Sequence, residues 1–270
     1  FKDFNFKKGI LGSEWIGLEN FEYMFGLNDF YRVFWNSFCL SFLRLVFEFP
    51  IPIILALLLN EISGKRFKKI TQTAIYLPHF LSWAVIGGIL VNFLSPTWGV
   101  VNQIIQQLGF DPIFFLGDPK YFRTTTVISS IWKEAGWGTI IYLAAITGID
   151  VEQYEAATVD GANRWQTLWK VTIPNVMPSI TICTFLTLTN SFKLFDQNLA
   201  LTGGQPYIIQ SDGSAIKTTE MLALNIYNTF YGQNVNSRGT AQAKAVLFFL
   251  LVAAIGLIQL RATRKKEVQQ

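Results

Sequence analysis

Residues 34–59 read FWNSFCLSFLRLVFEFPIPIILALLL. The run is apolar but for a few polar side chains. As an α-helix it is long enough to cross a bilayer core, which needs about 20 mostly apolar residues. Four further stretches meet the same requirement, at Ala74–Leu94, Thr125–Gly148, Val176–Leu201 and Ala243–Leu260. The second does so despite Pro78, and the fourth is the least apolar, with Asn190, Lys193 and Asp196 near its far end. The sequence therefore predicts an all-α membrane protein with about five spanning helices.

Composition agrees. Hydrophobic residues make up 51% of the 270 and charged residues only 15%, against about 25% charged in a soluble domain. The 24 Phe and 8 Trp suit a surface facing lipid better than an enlarged core. Cys39 and Cys183 each sit in an apolar run, so they read as packed thiols; neither a disulfide framework nor a metal site can be built from them.

The basic residues give direction. Lys65, Arg66, Lys68 and Lys69 lie between the first two spans, and Arg261, Arg264, Lys265 and Lys266 come after the fifth. Both groups are expected in the cytoplasm. Residues 1–33 are then an extracytoplasmic N-terminal segment, 34–262 the membrane domain and 263–270 a cytoplasmic tail. Residues 95–124 and 202–242 face outward, and a cysteine at Ser211 should label from outside while one at Thr263 labels from inside. An outward N-terminal segment carrying Lys2, Lys7 and Lys8 has nothing in these 270 residues to deliver it, so a further helix is expected before Phe1.

Several chemistries find no motif. There is no G-x-x-x-x-G-K-[ST] phosphate loop, no H-E-x-x-H and no G-x-S-x-G, which disfavours an enzyme and places any ATP hydrolysis on another chain. The single histidine, His79, stands next to Pro78 and reads as packed or interfacial. No cofactor or metal is expected.

The inward loop, about residues 149–175, reads IDVEQYEAATVDGANRWQTLWKVTIPN. Asp150 with Gln153 resembles a capping box, starting a helix through Glu155, Ala156, Ala157 and Thr158. Gly161 ends it, because glycine takes left-handed conformations freely. Asn163 with Gln166 starts a second helix, on which Trp165, Leu168, Trp169 and Thr172 share a face. Pro174 and Pro178 are expected to stop that helix and start the fourth span. An amphipathic helix–turn–helix of this kind suits insertion into a groove of another protein; the alternative is a pair of helices lying among lipid headgroups.

The run EAATVDGANRWQTLWKVTIPNVMP is similar to the EAA loop of binding-protein-dependent ABC importer permeases. Glu155, Ala156, Ala157, Asp160, Gly161, Ala162, Trp165, Ile173, Pro174 and Pro178 match its pattern; Thr172-Ile173-Pro174 departs mildly, since that family often has Leu before Pro. WIGLENFEYMF, IYLPHFLSWAVIGGI, LTGGQPY and KTTEMLALNIYNTFY resemble the carbohydrate-uptake, maltose/oligosaccharide-type branch, and the similarity extends over nearly the whole chain. The resemblance implies a type I ABC importer transmembrane domain in the bacterial cytoplasmic membrane. Its implied partners are a second homologous permease, two ATP-binding cassette ATPase subunits and an extracytoplasmic sugar-binding protein. It implies that ATPase closure pushes the loop and opens the channel outward, with Glu155 meeting polar or basic groups, Gly161 permitting the turn, and Trp165, Leu168 and Trp169 anchoring by apolar burial.

Polar residues within spans are functional candidates. Arg44 and Glu48 stand at i and i+4 and read as a structural pair. Ser130, Glu134, Trp137, Asn190 and Ser191 read as a substrate pathway, because a sugar needs hydroxyl partners and an aromatic face. Two rival functions are an ABC permease for a non-sugar solute such as glycerol phosphate, and an ion-coupled secondary transporter, for which the inverted repeat with broken helices is not evident.

Overall fold

A computed structural model describes residues 1–4, 7–192, 194–209, 215–232 and 237–263. Lys193, Ser211, Arg264, Lys265 and Lys266 lie outside the described residues.

A two-residue ribbon pairs β1 (Lys2–Asp3) with β2 (Glu14–Trp15), flanking α1 (Gly9–Gly12), and leads into α2 (Glu19–Gly26). Helices α3 (Asn28–Phe47) and α4 (Pro50–Glu61) are nearly continuous, and together Asp29–Glu61 is long and apolar enough to cross a membrane. Pro50 opens α4, where its missing N–H costs nothing. Helix α5 (Lys65–Tyr76), a 3₁₀ turn (Leu77–Phe80) and α6 (Trp83–Phe93) make up the second predicted span. It is not one helix. Pro78 tightens the last turn, Leu81 turns extended, and the chain restarts at Trp83, so the helix is broken there.

Helix α7 (Val100–Gln107) lies in the next connection. Asn102, 1% exposed, ties that connection together by donating to the carbonyls of Leu94, Ser95 and Ile113 and accepting from the Ile113 N–H at 2.7 Å. Helix α8 (Pro119–Thr147) has 29 residues, an axial length of about 44 Å.

Helices α9 (Val151–Val159) and α10 (Arg164–Thr167), a π turn (Leu168–Thr172) and α11 (Ile173–Phe192) come next. Here the prolines do not act as the sequence predicts. The backbone stays helical from Arg164 to Phe192. The π turn bonds Ile173 N–H to Leu168 C=O, a wider ring that relaxes the ladder just where Pro174 removes a donor. Pro178 is carried inside α11. The fourth span also ends earlier than predicted: Asp196 is not within it but opens α12 (Asp196–Leu201), where a carboxylate suits the positive helix end.

A hairpin of β3 (Tyr207–Ile209) and β4 (Ala215–Lys217) pairs Tyr207 with Lys217, and α13 (Leu222–Phe230) and α14 (Ser237–Thr263) complete the order. Among the described residues three helical stretches are long and apolar enough to span, or four with the broken pair. Helix α8 has the length but carries Lys120, Arg123, Lys133 and Glu134 and is not among them, so the predicted five are not all found.

The chain forms two compact units. The first comprises Phe1–Phe42, Trp83–Thr126 and Asn190–Ile255, with Met24, Phe30, Val33 and Leu222 at its core. The irregular stretch Thr218–Met221 is buried, so its backbone must find partners. Asn36 donates to Thr218 C=O at 2.8 Å, Asn198 donates to Thr219 C=O at 3.0 Å and accepts from Met221 N–H at 2.9 Å, and Ser37 accepts from Leu222 N–H at 2.8 Å. The second unit comprises Leu43–Ser82, Val127–Thr189 and the described residues from Gly256 onward. Ala56, Leu59, Tyr142, Leu143, Ile146, Val176 and Cys183 form its core, so Cys183 is the packed thiol the sequence predicts.

Candidate functional site

The loop of residues 149–175 lies entirely within the second unit. Asp150 caps α9 by accepting from Glu152 N–H at 3.0 Å. Only half of the predicted capping box forms, because Gln153 accepts instead from Asn175 Nδ2 at 2.7 Å. Helix α9 ends as predicted at Gly161, whose φ is +74°. Gly161 N–H bonds Thr158 C=O and Ala162 N–H bonds Ala157 C=O at 2.9 Å, the double closure of a Schellman turn, which needs a left-handed residue at this point. The second box is complete, with Gln166 N–H to Asn163 Oδ1 at 2.9 Å and Asn163 N–H to Gln166 Oε1 at 2.8 Å.

Two contacts fasten α9 to the helix after it: the Gln153–Asn175 bond, and a hydrogen bond of 3.2 Å between the hydroxyls of Tyr154 and Thr172. These fasteners are not legible in the sequence, since their spacings of 22 and 18 residues belong to no local pattern. The predicted ridge is also redrawn. Trp165 and Trp169 are exposed at 71% and 63% and Leu168 is half-buried, but Thr172 is buried. The π turn adds a residue to one turn and rotates the residues beyond it by roughly 100°. Glu155, Ala156, Asp160 and Pro174 are exposed, Ala157 is half-buried, and Val151 and Val159 add exposed apolar surface. The loop is a hairpin of two helices that presents two indoles, two valines and the carboxylates of Glu155 and Asp160.

The second candidate site collects polar residues on α8 and its neighbours in the same unit. Gly136 lets α8 meet the end of α5 backbone to backbone, since a Cβ there would lie 2.2 Å from Ile75 C=O. That approach sets Glu134 beside His79. His79 Nδ1 lies 2.8 Å from Glu134 Oε2, with the ring N–H donating. Lys133 Nζ is 3.4 Å from Glu134 Oε1 and donates to His79 C=O at 2.8 Å, which caps the 3₁₀ turn. The His79 ring lies flat against Trp137, with centroids 4.9 Å apart and planes 11° apart. Glu134 and His79 are each partly exposed and Trp137 is half exposed.

Ser130 is placed differently. It is 0% exposed and donates to Glu48 Oε2 at 2.8 Å, joining the buried pair in which Arg44 Nη2 meets Glu48 Oε1 at 2.7 Å. Arg44 and Glu48 are therefore the structural pair their spacing predicts, with Ser130 as its third member. Asn190 and Ser191 belong to the other unit, where Asn190 is exposed and Ser191 is buried.

Residues 48–267 match the family model described as binding-protein-dependent transport system inner membrane component. The chain belongs to that family. The permease is 42% identical to protein LplB of Bacillus subtilis over 203 residues, covering 75% of this chain and 64% of LplB. It is also 42% identical to the polygalacturonan/rhamnogalacturonan transport system permease protein YteP of the same organism, over 72% of this chain and 60% of YteP. The matched part of the permease thus spans less than two thirds of either relative. Among solved structures it is similar to a chain of the bacterial alginate ABC transporter in complex with alginate pentasaccharide-bound periplasmic protein, at 35% identity and a TM-score of 0.83 over 93% of this chain and 83% of that one. The permease is a multi-pass membrane protein and a transport component.

Proposed function

We propose that this permease is the channel-forming subunit of an ATP-driven oligosaccharide importer. It works with a second homologous permease, two ATP-binding cassette ATPases and an extracytoplasmic sugar-binding protein, and its C-terminus is cytoplasmic. The observation that carries the proposal is the coupling loop. A helical hairpin closed by Gly161 and pinned by Tyr154 and Asn175 transmits a push without collapsing, and its exposed Trp165, Trp169, Val151 and Val159 call for an apolar groove on a partner. Glu155 adds a charge at the edge of that patch.

The substrate class is inferred from relatives whose names record polygalacturonan, rhamnogalacturonan and alginate. Glu134 and Trp137 supply the acceptor and aromatic face that a sugar ring uses, and we assign them to the pathway, with Ser130 buried in the same unit; Asn190 and Ser191 are further pathway candidates, in the other unit. No cofactor is needed by this subunit, since ATP is consumed by its partners. ATP and the loaded binding protein both favour one channel state, so each raises the effect of the other.

The test is ATP-dependent uptake by the assembled importer in proteoliposomes, measured with neutral and uronate oligosaccharides. Uptake that needs the binding protein and stops with Glu155→Lys supports the proposal. Uptake driven by an ion gradient without ATP overturns it.

A further inference from the structure

His79 touches both Glu134 and Trp137 on α8. Its ring N–H meets the Glu134 carboxylate at 2.8 Å, and its face covers one side of the Trp137 indole at 4.9 Å. We propose that His79 is a positioning residue for sugar selection, holding Glu134 and Trp137 in the one arrangement that receives a pyranose ring. The role depends on the proposed sugar pathway.

The main chain explains why the imidazole is available for this. Pro78 and the break before Trp83 put His79 at the end of a 3₁₀ turn rather than on a regular helix face. Its carbonyl, which a continuing helix would satisfy, is taken by Lys133 Nζ at 2.8 Å. Gly136 then allows α8 to come close enough for ring and carboxylate to meet. Three separate features thus fix one side chain.

The surfaces left open set the chemistry. Trp137 is half exposed while His79 covers one face, so a sugar is left the opposite face, on which its C–H surface can stack. Glu134 accepts from His79 through Oε2 and faces Lys133 through Oε1. Each carboxylate oxygen keeps further acceptor capacity for sugar hydroxyls, and the neighbouring ammonium limits the attraction of cations. Without the imidazole, both the carboxylate and the indole regain torsional freedom, and a ligand must order them on binding. Affinity and discrimination then fall together.

A merely structural role, stapling the broken span to α8, makes a different prediction. The measurement is uptake of a neutral and a uronate trisaccharide, maltotriose and trigalacturonate, by the assembled importer with one binding protein throughout, normalised to membrane abundance. His79→Asn keeps a donor near the Nδ1 position and loses the stacking face. His79→Phe keeps the face and loses the donor. His79→Ala loses both. For His79→Ala the KM is expected to rise on the order of tenfold, the effect of one lost hydrogen bond to a charged group, with the preference between the two sugars altered. Asn and Phe should each restore part of it. If all three variants lower uptake of both sugars only in step with abundance, His79 is a staple and the proposal fails. Glu134→Ala and Trp137→Ala serve as references. If they alter sugar preference and the His79 variants do not, the positioning role alone is overturned. If neither reference alters it, the pathway assignment fails and the role of His79 with it.

Discussion

Tyr154 and Thr172 bring their hydroxyl oxygens to 3.2 Å, so that helix α9 is pinned to the π turn that begins the next helix. The Asn175–Gln153 bond at 2.7 Å lies beside it. A loop held by two such contacts on one side and by a Schellman turn at its tip is braced as the proposed coupling to a partner requires.

Removing one member of the Tyr154–Thr172 pair should loosen α9 without unfolding the membrane domain. A hydrogen bond of this kind is worth about 1 kcal/mol net. Tyr154→Phe and Thr172→Val should each raise amide exchange in residues 151–163 several-fold, and the double variant should be no worse than the more affected single one. Additive effects, measured by hydrogen exchange, would show that the two hydroxyls act independently.

Gly161→Val tests the tip. Nothing lies within 4 Å of the Cβ that would be added, so the cost is backbone strain alone. A left-handed conformation costs a β-branched residue about 1–3 kcal/mol. We expect normal membrane abundance, loss of ATPase capture and loss of uptake, with Gly161→Asn much milder because asparagine tolerates this region. Equal uptake by the valine variant and the wild type would remove the turn from the coupling mechanism.

Arg44 and Glu48 form a buried ion pair, 6% exposed at each residue, with Arg44 Nη1 lacking a hydrogen-bond partner among the described residues. Breaking such a pair from one side leaves an uncompensated charge and costs about 3–5 kcal/mol. Glu48→Ala should therefore lower the thermal stability of the purified complex sharply, while Ser130→Ala, which loses a hydrogen bond to a charged group, should cost about 1.5–3 kcal/mol. Joint replacement, Arg44→Met with Glu48→Leu, should recover much of the loss. Thermal melts in detergent rank the three variants against the wild type.

Two glycines separate close approach from open space. At Gly136 a Cβ would lie 2.2 Å from Ile75 C=O, a backbone atom that has nowhere to move, whereas at Gly88 nothing lies within 4 Å. Gly136→Ala should push α8 from α5, separate Glu134 from His79 and lower abundance by a clash of about 1–3 kcal/mol. Gly88→Ala should be neutral in the same expression assay.

Orientation is read from two exposed positions. Tyr207, on the β3–β4 hairpin, and Val159, at the end of α9, are exposed at 49% and 87%. In a cysteine-free background, Tyr207→Cys should react with an impermeant maleimide added outside, and Val159→Cys only after the membrane is opened. Reaction of both from one side would invalidate the proposed topology.

What the sequence by itself determined was what depends on composition and near neighbours. Apolar runs of about 20 residues declare spanning helices because hydrocarbon permits no unsatisfied backbone. The Asn163–Gln166 box and the Gly161 turn were legible because both lie within four residues of their partners. Arg44 and Glu48, one helical turn apart, were legible for the same reason. Only the tertiary structure decided the rest. That Pro174 continues a helix depends on a π turn, whose wider ring no residue announces. That Thr172 faces inward to Tyr154 results from the phase that turn adds. That Ser130 belongs with Arg44 and Glu48, and His79 with Glu134 and Trp137, required helices distant in sequence to pack face to face. Helical periodicity places a residue on a face of its own helix; which other helix that face meets is set by the fit of side chains across the contact, here by a glycine that lets two backbones touch.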